Sequence, residues 1–275
     1  MAPITSLQNP KVKRLVALQQ KSSERRKAGV FIVEGQRELL HCINARLTVE
    51  TIYYCPQIMN AGDREDLHRS NSDVDAESLL QHATTCYEVT PAVYEKIAYR
   101  GTTEGIVAEI RPRHLQLTDL PTGGAPLFVI LESVEKPGNL GAILRSADAA
   151  GATGVIVCDP LTDLYNPNLI RSSIGAVFTV PTVACTSEDC IAWLKDNNIA
   201  ILTAQLQDSK LYYDTDMRRA TAIVMGTEAT GLTPQWRQAA DAHIRIPMLG
   251  QLDSLNVSVS AAILLFEAVR QRQQN

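Results

Sequence analysis

The sequence has no apolar run approaching the roughly 18 residues that a membrane-spanning helix needs, although 45% of its 275 residues are hydrophobic. Its opening stretch, Met1 to Pro10, contains no apolar segment of the secretory type, so a cytoplasmic protein with no membrane attachment is expected. The six cysteines, Cys42, Cys55, Cys86, Cys158, Cys185 and Cys190, form no Cys-x-x-Cys pair and have no histidine pair nearby. That excludes the local zinc and redox motifs, and plain reduced thiols with no metal site are the expectation. An overall excess of cations is missing too. The net charge of −4 argues against a partner read through its phosphates.

The distribution of charge argues the other way. Residues 1–37 carry Lys11, Lys13, Arg14, Lys21, Arg25, Arg26, Lys27 and Arg37 against only Glu24 and Glu34, a local excess of +6. The rest of the chain is therefore strongly acidic. A run of like charge is ordinarily a solvated helix face, and RNA contact is the competing explanation for Lys11, Lys13, Arg14, Arg25, Arg26 and Lys27.

Asn9-Pro10 has the chemistry of a helix start, a side-chain acceptor followed by a proline suited to the first turn. Val12, Leu15, Val16 and Leu18 then predict a one-sided helix to about Gln20. Val30–Val33 reads as a buried strand, followed by a helix to Ile43, a second strand over Glu50–Cys55 and a polar loop and helix region to Ala83. Thr90-Pro91 predicts a short capped helix holding Val93, Ile97 and Tyr99, and Gly105–Ile110 a closing strand. Residues 1–110 are thus expected to form a small α/β domain, and the proline- and glycine-rich stretch 111–126 a linker. Over residues 127–275 apolar strands are expected at Leu127–Leu131, Gly154–Cys158, Ile199–Thr203, Ala222–Met225 and His243–Ile246. Helices are expected near Leu140–Ala149, Asn168–Ser173, Ser187–Asp196, Pro234–Ala240 and Val257–Arg272. Strands alternating with helices imply a mostly parallel sheet covered on both faces. The final helix has an apolar stripe, Val259, Ala262, Ile263, Phe266 and Val269, expected to pack into the core or onto a partner subunit.

Three segments carry the chemistry. Glu132-Ser133-Val134-Glu135-Lys136-Pro137-Gly138-Asn139 runs on to Arg145 after the first strand of this half. Met225-Gly226-Thr227-Glu228-Ala229-Thr230-Gly231-Leu232 follows a later strand, and Ile246 to Val259, with Ser254-Leu255-Asn256, precedes the last helix. Alone, the second segment is a glycine-framed turn that lacks the spacing of a dinucleotide fingerprint. In order and at one-domain spacing, the three resemble the motifs of the SpoU (TrmH-type) branch of the SPOUT RNA methyltransferases. Residues Ile4 to Gly35 also resemble the N-terminal RNA-binding domain of such enzymes, which is similar to ribosomal protein L30e.

The resemblance implies a SPOUT domain with a deep trefoil knot, a homodimer through the C-terminal domain, and methyl transfer from S-adenosylmethionine to a ribose 2′-hydroxyl of RNA. It implies that Gly226, Ile246 and Leu255 contact the cofactor, and that Arg145, Asn139, Glu228, Ser254 and Asn256 belong to the catalytic centre. Leu252 and Asp253 occupy places where many relatives have small residues. A guanidinium is too weakly acidic to serve as a base, so Arg145 is expected to clamp phosphate and the developing alkoxide. Asn256 has a second reading as the cap of the last helix. Ribosomal RNA is the expected substrate; the alternatives are transfer RNA, or a non-catalytic RNA-binding assembly factor that keeps the fold. A nucleotide-binding oxidoreductase is disfavoured by the glycine spacing.

Overall fold

The computed structural model describes residues 2–62, 76–99, 104–227 and 230–273. The chain divides into two compact units, Met1–Arg113 with Leu164–Gly175, and His114–Asp163 with Ala176–Asn275. No helix among the described residues is long and apolar enough to cross a membrane.

The first unit opens with α1 (Pro10–Gln20), whose start is fixed where the Asn9 side chain accepts from the Lys11 amide at 2.9 Å. Val12, Leu15 and Leu18 form its buried face. α2 (Ser22–Ala28) follows after a single extended residue. Arg25 is only 5% exposed, because its Nη1 donates to the carbonyls of Leu18 (2.7 Å) and Gln19 (3.2 Å) at the end of α1. Next come β1 (Phe31–Glu34), α3 (Gln36–Asn44), β2 (Val49–Tyr54), α4 (Pro56–Gly62), α5 (Ala76–Leu80), β3 (Ala83–Glu88), α6 (Pro91–Ile97) and β4 (Ile106–Ile110). The sheet order is β1-β4-β2-β3. The expected closing strand β4 is therefore interior, antiparallel to both β1 and β2, and all five of its residues are buried. Leu15, Leu18, Ile32, Tyr53, Val93, Ile97 and Val107 share the core beneath it. Buried Glu109 is held by Arg14 at 2.9 Å and by the Tyr53 hydroxyl at 3.2 Å. Two expectations change here. Thr90 makes no side-chain capping bond to α6, and Tyr99 lies beyond the helix end, 44% exposed.

The second unit contains β5 (Leu127–Glu132), α7 (Pro137–Ala149) and β6 (Gly154–Cys158). The chain then contributes α8 (Pro167–Ser172) to the first unit, where Tyr165 stacks on Phe31 at 4.3 Å. It continues with α9 (Ala176–Thr179), β7 (Thr182–Cys185), α10 (Ser187–Asp196), β8 (Ala200–Ala204), β9 (Lys210–Leu211), β10 (Thr221–Met225), α11 (Pro234–Ala239), β11 (Ala242–Arg245) and α12 (Val257–Gln273). The seven strands lie in the order β7-β6-β5-β10-β8-β11-β9, and every neighbouring pair is parallel. A wholly parallel sheet must be covered on both faces, which is why β5, β6 and β10 are buried at every residue. Its strands all end at one edge, and the sequence motifs follow those ends.

The apolar stripe assigned to α12 does not face the core. The buried face is Val257, Ala261, Leu264, Leu265 and Ala268, while Val259 and Phe266 are 47% and 49% exposed. Apolar residues lie all round this helix, so their spacing could not tell its inner face from its outer one.

The Arg25 guanidinium is a structural tie between α1 and α2. Arg25→Ala is expected to cost about 1–3 kcal/mol by leaving buried carbonyls without a donor. Native-state hydrogen exchange across α1 and α2 should accelerate accordingly; unchanged exchange would show that the tie is inert.

Candidate active site

A cavity of about 340 Å3 opens at the carboxyl ends of three adjacent strands, β10, β8 and β11. Its walls come from residues that follow them, Gly226, Thr227, Gly231 and Leu232 after β10, Gln205 to Gln207 after β8, and Ile246, Met248, Ser254 and Leu255 after β11. Loops at the carboxyl edge of a parallel sheet are where α/β folds ordinarily place ligands, because the strand ends diverge there and leave a crevice.

The first loop owes its shape to two glycines. A Cβ on Gly226 would lie 2.4–2.6 Å from the backbone of Gly231 and Leu232, far inside contact distance. Gly231 itself sits at φ +66°, in the left-handed region that side chains disfavour. The turn between them is closed by paired backbone bonds, Gly231 N–H to the Thr227 carbonyl at 3.1 Å and Thr227 N–H to the Gly231 carbonyl at 3.3 Å. The Thr227 hydroxyl also accepts from the Thr230 amide at 3.0 Å. Glu228, assigned to the catalytic set, lies outside the described residues. Beyond the turn, the buried Glu132 carboxylate at the end of β5 accepts from the Thr233 amide (2.9 Å) and hydroxyl (2.6 Å). That acid anchors the far side of the loop to the neighbouring strand. In sequence it opens the first segment, and nothing in its spacing marks the tie to Thr233.

The third segment supplies the opposite wall. Ile246, Ser254 and Leu255 line the same cavity as Gly226, so four of the assigned residues share one space. Asn256 lies just past them and caps α12, its Oδ1 accepting from the Ser258 amide at 2.9 Å. Its Nδ2 donates to Asn139 Oδ1 at 3.2 Å, joining the start of α12 to the first turn of α7. Arg145 stands on the exposed side of α7 and is not part of the cavity lining. Asn139 and Arg145 therefore share a helix but differ in setting, one within the α7–α12 joint and one on the surface.

Sequence reasoning missed Gln205. Its Oε1 is buried with no hydrogen-bond partner among the described residues, while its Nε2 donates to the Gln207 carbonyl at 2.9 Å. An unsatisfied acceptor in a cavity wall is a place for a ligand N–H. It was missed because the loop after β8 carries no motif. Also unforeseen was the convergence of Cys158, Cys185 and Cys190, whose sulfurs all lie within 4.8 Å of one another.

The six assigned RNA-contacting cations lie in the first unit and differ in availability. Lys13, Arg26 and Lys27 are exposed, Lys11 sits over the Tyr87 ring at 4.6 Å, Arg14 pairs with Glu109, and Arg25 is buried in the α1–α2 tie.

With this geometry in view, residues 126–266 match the SpoU rRNA Methylase family, and residues 9–108 match the MRM3-like substrate binding domain. The 23S rRNA (uridine(2479)-2′-O)-methyltransferase of Streptomyces viridochromogenes is 32% identical over 98% of this chain and 92% of its own length. The 23S rRNA (guanosine(2553)-2′-O)-methyltransferase RlmP of Bacillus subtilis (strain 168) is 29% identical over 97% of this chain and 98% of its own. Among solved structures, the AdoMet-bound rRNA methyltransferase of Sinorhizobium meliloti superposes with a TM-score of 0.85 at 29% identity, covering 98% of this chain and 97% of that one.

Gly226→Ala tests whether the cavity is the ligand site. The added methyl must displace the Gly231–Leu232 backbone, so S-adenosylmethionine binding measured by calorimetry should fall at least about tenfold, a change of roughly 1.4 kcal/mol. Wild-type affinity in a folded variant would remove this loop from the cofactor site.

Proposed function

The chain belongs to the SpoU rRNA methylase family, and on that premise we propose that it transfers a methyl group from S-adenosylmethionine to a ribose 2′-hydroxyl of 23S ribosomal RNA. The observation that carries this reading is the single cavity lined jointly by Gly226, Ile246, Ser254 and Leu255. The nucleobase is not what unites the relatives, since one is named for uridine and another for guanosine. The ribose is.

The residues present fit the cofactor. A space of about 340 Å3 falls within the roughly 300–1,000 Å3 of small-molecule sites. Gly226 leaves its backbone open to close approach, and Gln205 Oε1 offers an acceptor that a ligand amine would satisfy. Bound there, S-adenosylmethionine supplies an electrophilic methyl on its sulfonium. We assign Gly226, Ile246 and Leu255 to holding it, largely through backbone groups.

The remaining residues serve the acceptor. A ribose hydroxyl is a poor acid, so its proton must leave as the oxygen attacks, and the oxygen must be aligned with the methyl. Arg145 is placed on the RNA side: its fork grips a phosphate and stabilises the developing alkoxide, while a phosphate oxygen or water takes the proton. Asn139 and Asn256 orient the acceptor from the α7–α12 joint, and Ser254 and Glu228 complete the catalytic set. RNA is held through the first unit, where exposed Lys13, Arg26 and Lys27 supply phosphate contacts. The C-terminal segment completes a trefoil knot, and the protein works in the cytoplasm.

The chain acts as a homodimer through the second unit. In support, Val259 and Phe266 leave an apolar face on α12 that the folded subunit does not cover.

Arg145→Ala is expected to lower single-turnover ribose methylation by about 10²–10³-fold, with S-adenosylmethionine affinity unchanged. Arg145→Lys should recover little, because a point charge cannot replace the planar fork. A variant that methylates ribosomal RNA at near wild-type speed would remove Arg145 from the mechanism.

Phe266→Asp should convert a dimer to a monomer in sedimentation at micromolar protein. A wild-type chain that already sediments as a monomer would overturn the dimer.

A further inference from the structure

Three of the six cysteines, distant in sequence, meet at one point of the second unit. Cys158 ends β6, Cys185 ends β7 directly opposite it in parallel register, and Cys190 comes from the start of α10. Their sulfurs lie within 4.8 Å of one another. Around a single ion with metal–sulfur bonds of about 2.3 Å, sulfurs sit roughly 3.8–4.0 Å apart. Closing the cluster onto an ion thus needs shifts of less than about 1 Å.

The frame around the sulfurs is already rigid. The Asp159 amide donates to the Cys185 carbonyl at 2.9 Å, and the Asp159 carboxylate accepts from the Ser187 hydroxyl at 2.6 Å. Ser187 Oγ in turn accepts from Trp236 Nε1 at 2.9 Å, and Thr186 caps α10 by accepting from the Asp189 amide at 3.1 Å.

We propose that Cys158, Cys185 and Cys190 form a three-thiolate site for a soft divalent cation of the zinc type. Thiolates select zinc-like and softer ions over magnesium or calcium. Three thiolates leave a net charge of −1 with a divalent ion and −2 with a monovalent one, and a mostly buried site tolerates the smaller charge better. Cys158 and Cys190 are fully buried, whereas Cys185 is half-buried and gives the ion an entry path and a place for water as fourth ligand. The bound ion would tie the ends of β6 and β7 to α10, a structural role independent of the cofactor cavity. It would add stability in proportion to its affinity for the folded state.

The test uses the full-length chain, reduced and stripped with a chelator, then titrated with Cd2+ as the spectroscopic probe. A thiolate-to-metal charge-transfer band should rise to an inflection at one equivalent and be displaced by Zn2+. It should vanish in Cys185→Ser and survive in Cys86→Ser, whose sulfur lies in the first unit. In the wild-type chain, Zn2+ should also protect Cys185 from iodoacetamide, read by peptide mass spectrometry. That measurement decides the matter even where a serine variant fails to fold. No inflection at one equivalent, a band that persists in Cys185→Ser, or alkylation of Cys185 indifferent to Zn2+ would each overturn the site and leave three thiols packed as small apolar groups.

Discussion

The backbone contact between Gly226 and Gly231 is the constraint on which the cavity depends. A side chain at Gly226 would meet the Gly231 carbonyl carbon at 2.4 Å, so the turn after β10 can fold back on itself only with hydrogen there. That fold-back frees the space at the end of β10, and the parallel ladder does the rest. Because β8, β10 and β11 are neighbours running the same way, the loops after them must converge at one edge. Three segments separated by tens of residues become walls of one cavity through strand order alone. Glu132 fixes the depth of the arrangement: its buried carboxylate spends both oxygens on Thr233, so the loop cannot lift away without leaving a charge desolvated and unpaired.

A second joint links that cavity to the surface helix α7. Asn256 divides its amide between two tasks, its oxygen capping α12 and its nitrogen bonding Asn139. The cap fixes the rotamer, and the rotamer aims the nitrogen. Capping and positioning are one geometry here. A change at Asn256 therefore alters helix stability and site alignment together, which separates it from Arg145, an exposed side chain with no part in the cavity wall.

Much of the fold was legible because the buried strands are written as unbroken apolar runs, Leu127–Leu131 and Ala222–Met225 among them. β3 was not foreseen because its residues are mostly half-buried and Thr-rich, with no run to mark it. Nor were the short edge strands β7 and β9, whose pairing depends on neighbours far off in sequence. Which side of α12 meets the core was not legible, since a helix apolar on several sides has no period that tells its inner face from an outer one. Arg25 looked like one more cation in a basic run until its burial showed a guanidinium satisfying helix-end carbonyls. The convergence of three cysteines was invisible because register between β6 and β7 is a property of the sheet.

The charge pattern also reads differently once the side chains have addresses. An acidic chain with a +6 opening segment invites the idea that every cation there serves a polyanion. Burial removes Arg25 from that set, and Glu109 already claims Arg14. Lys13, Arg26 and Lys27 are exposed, and an exposed cation can exchange its counterions for phosphates at little desolvation cost. Electrostatic reach thus rests on fewer charges than the composition suggests. A few phosphate contacts position RNA without fixing its sequence.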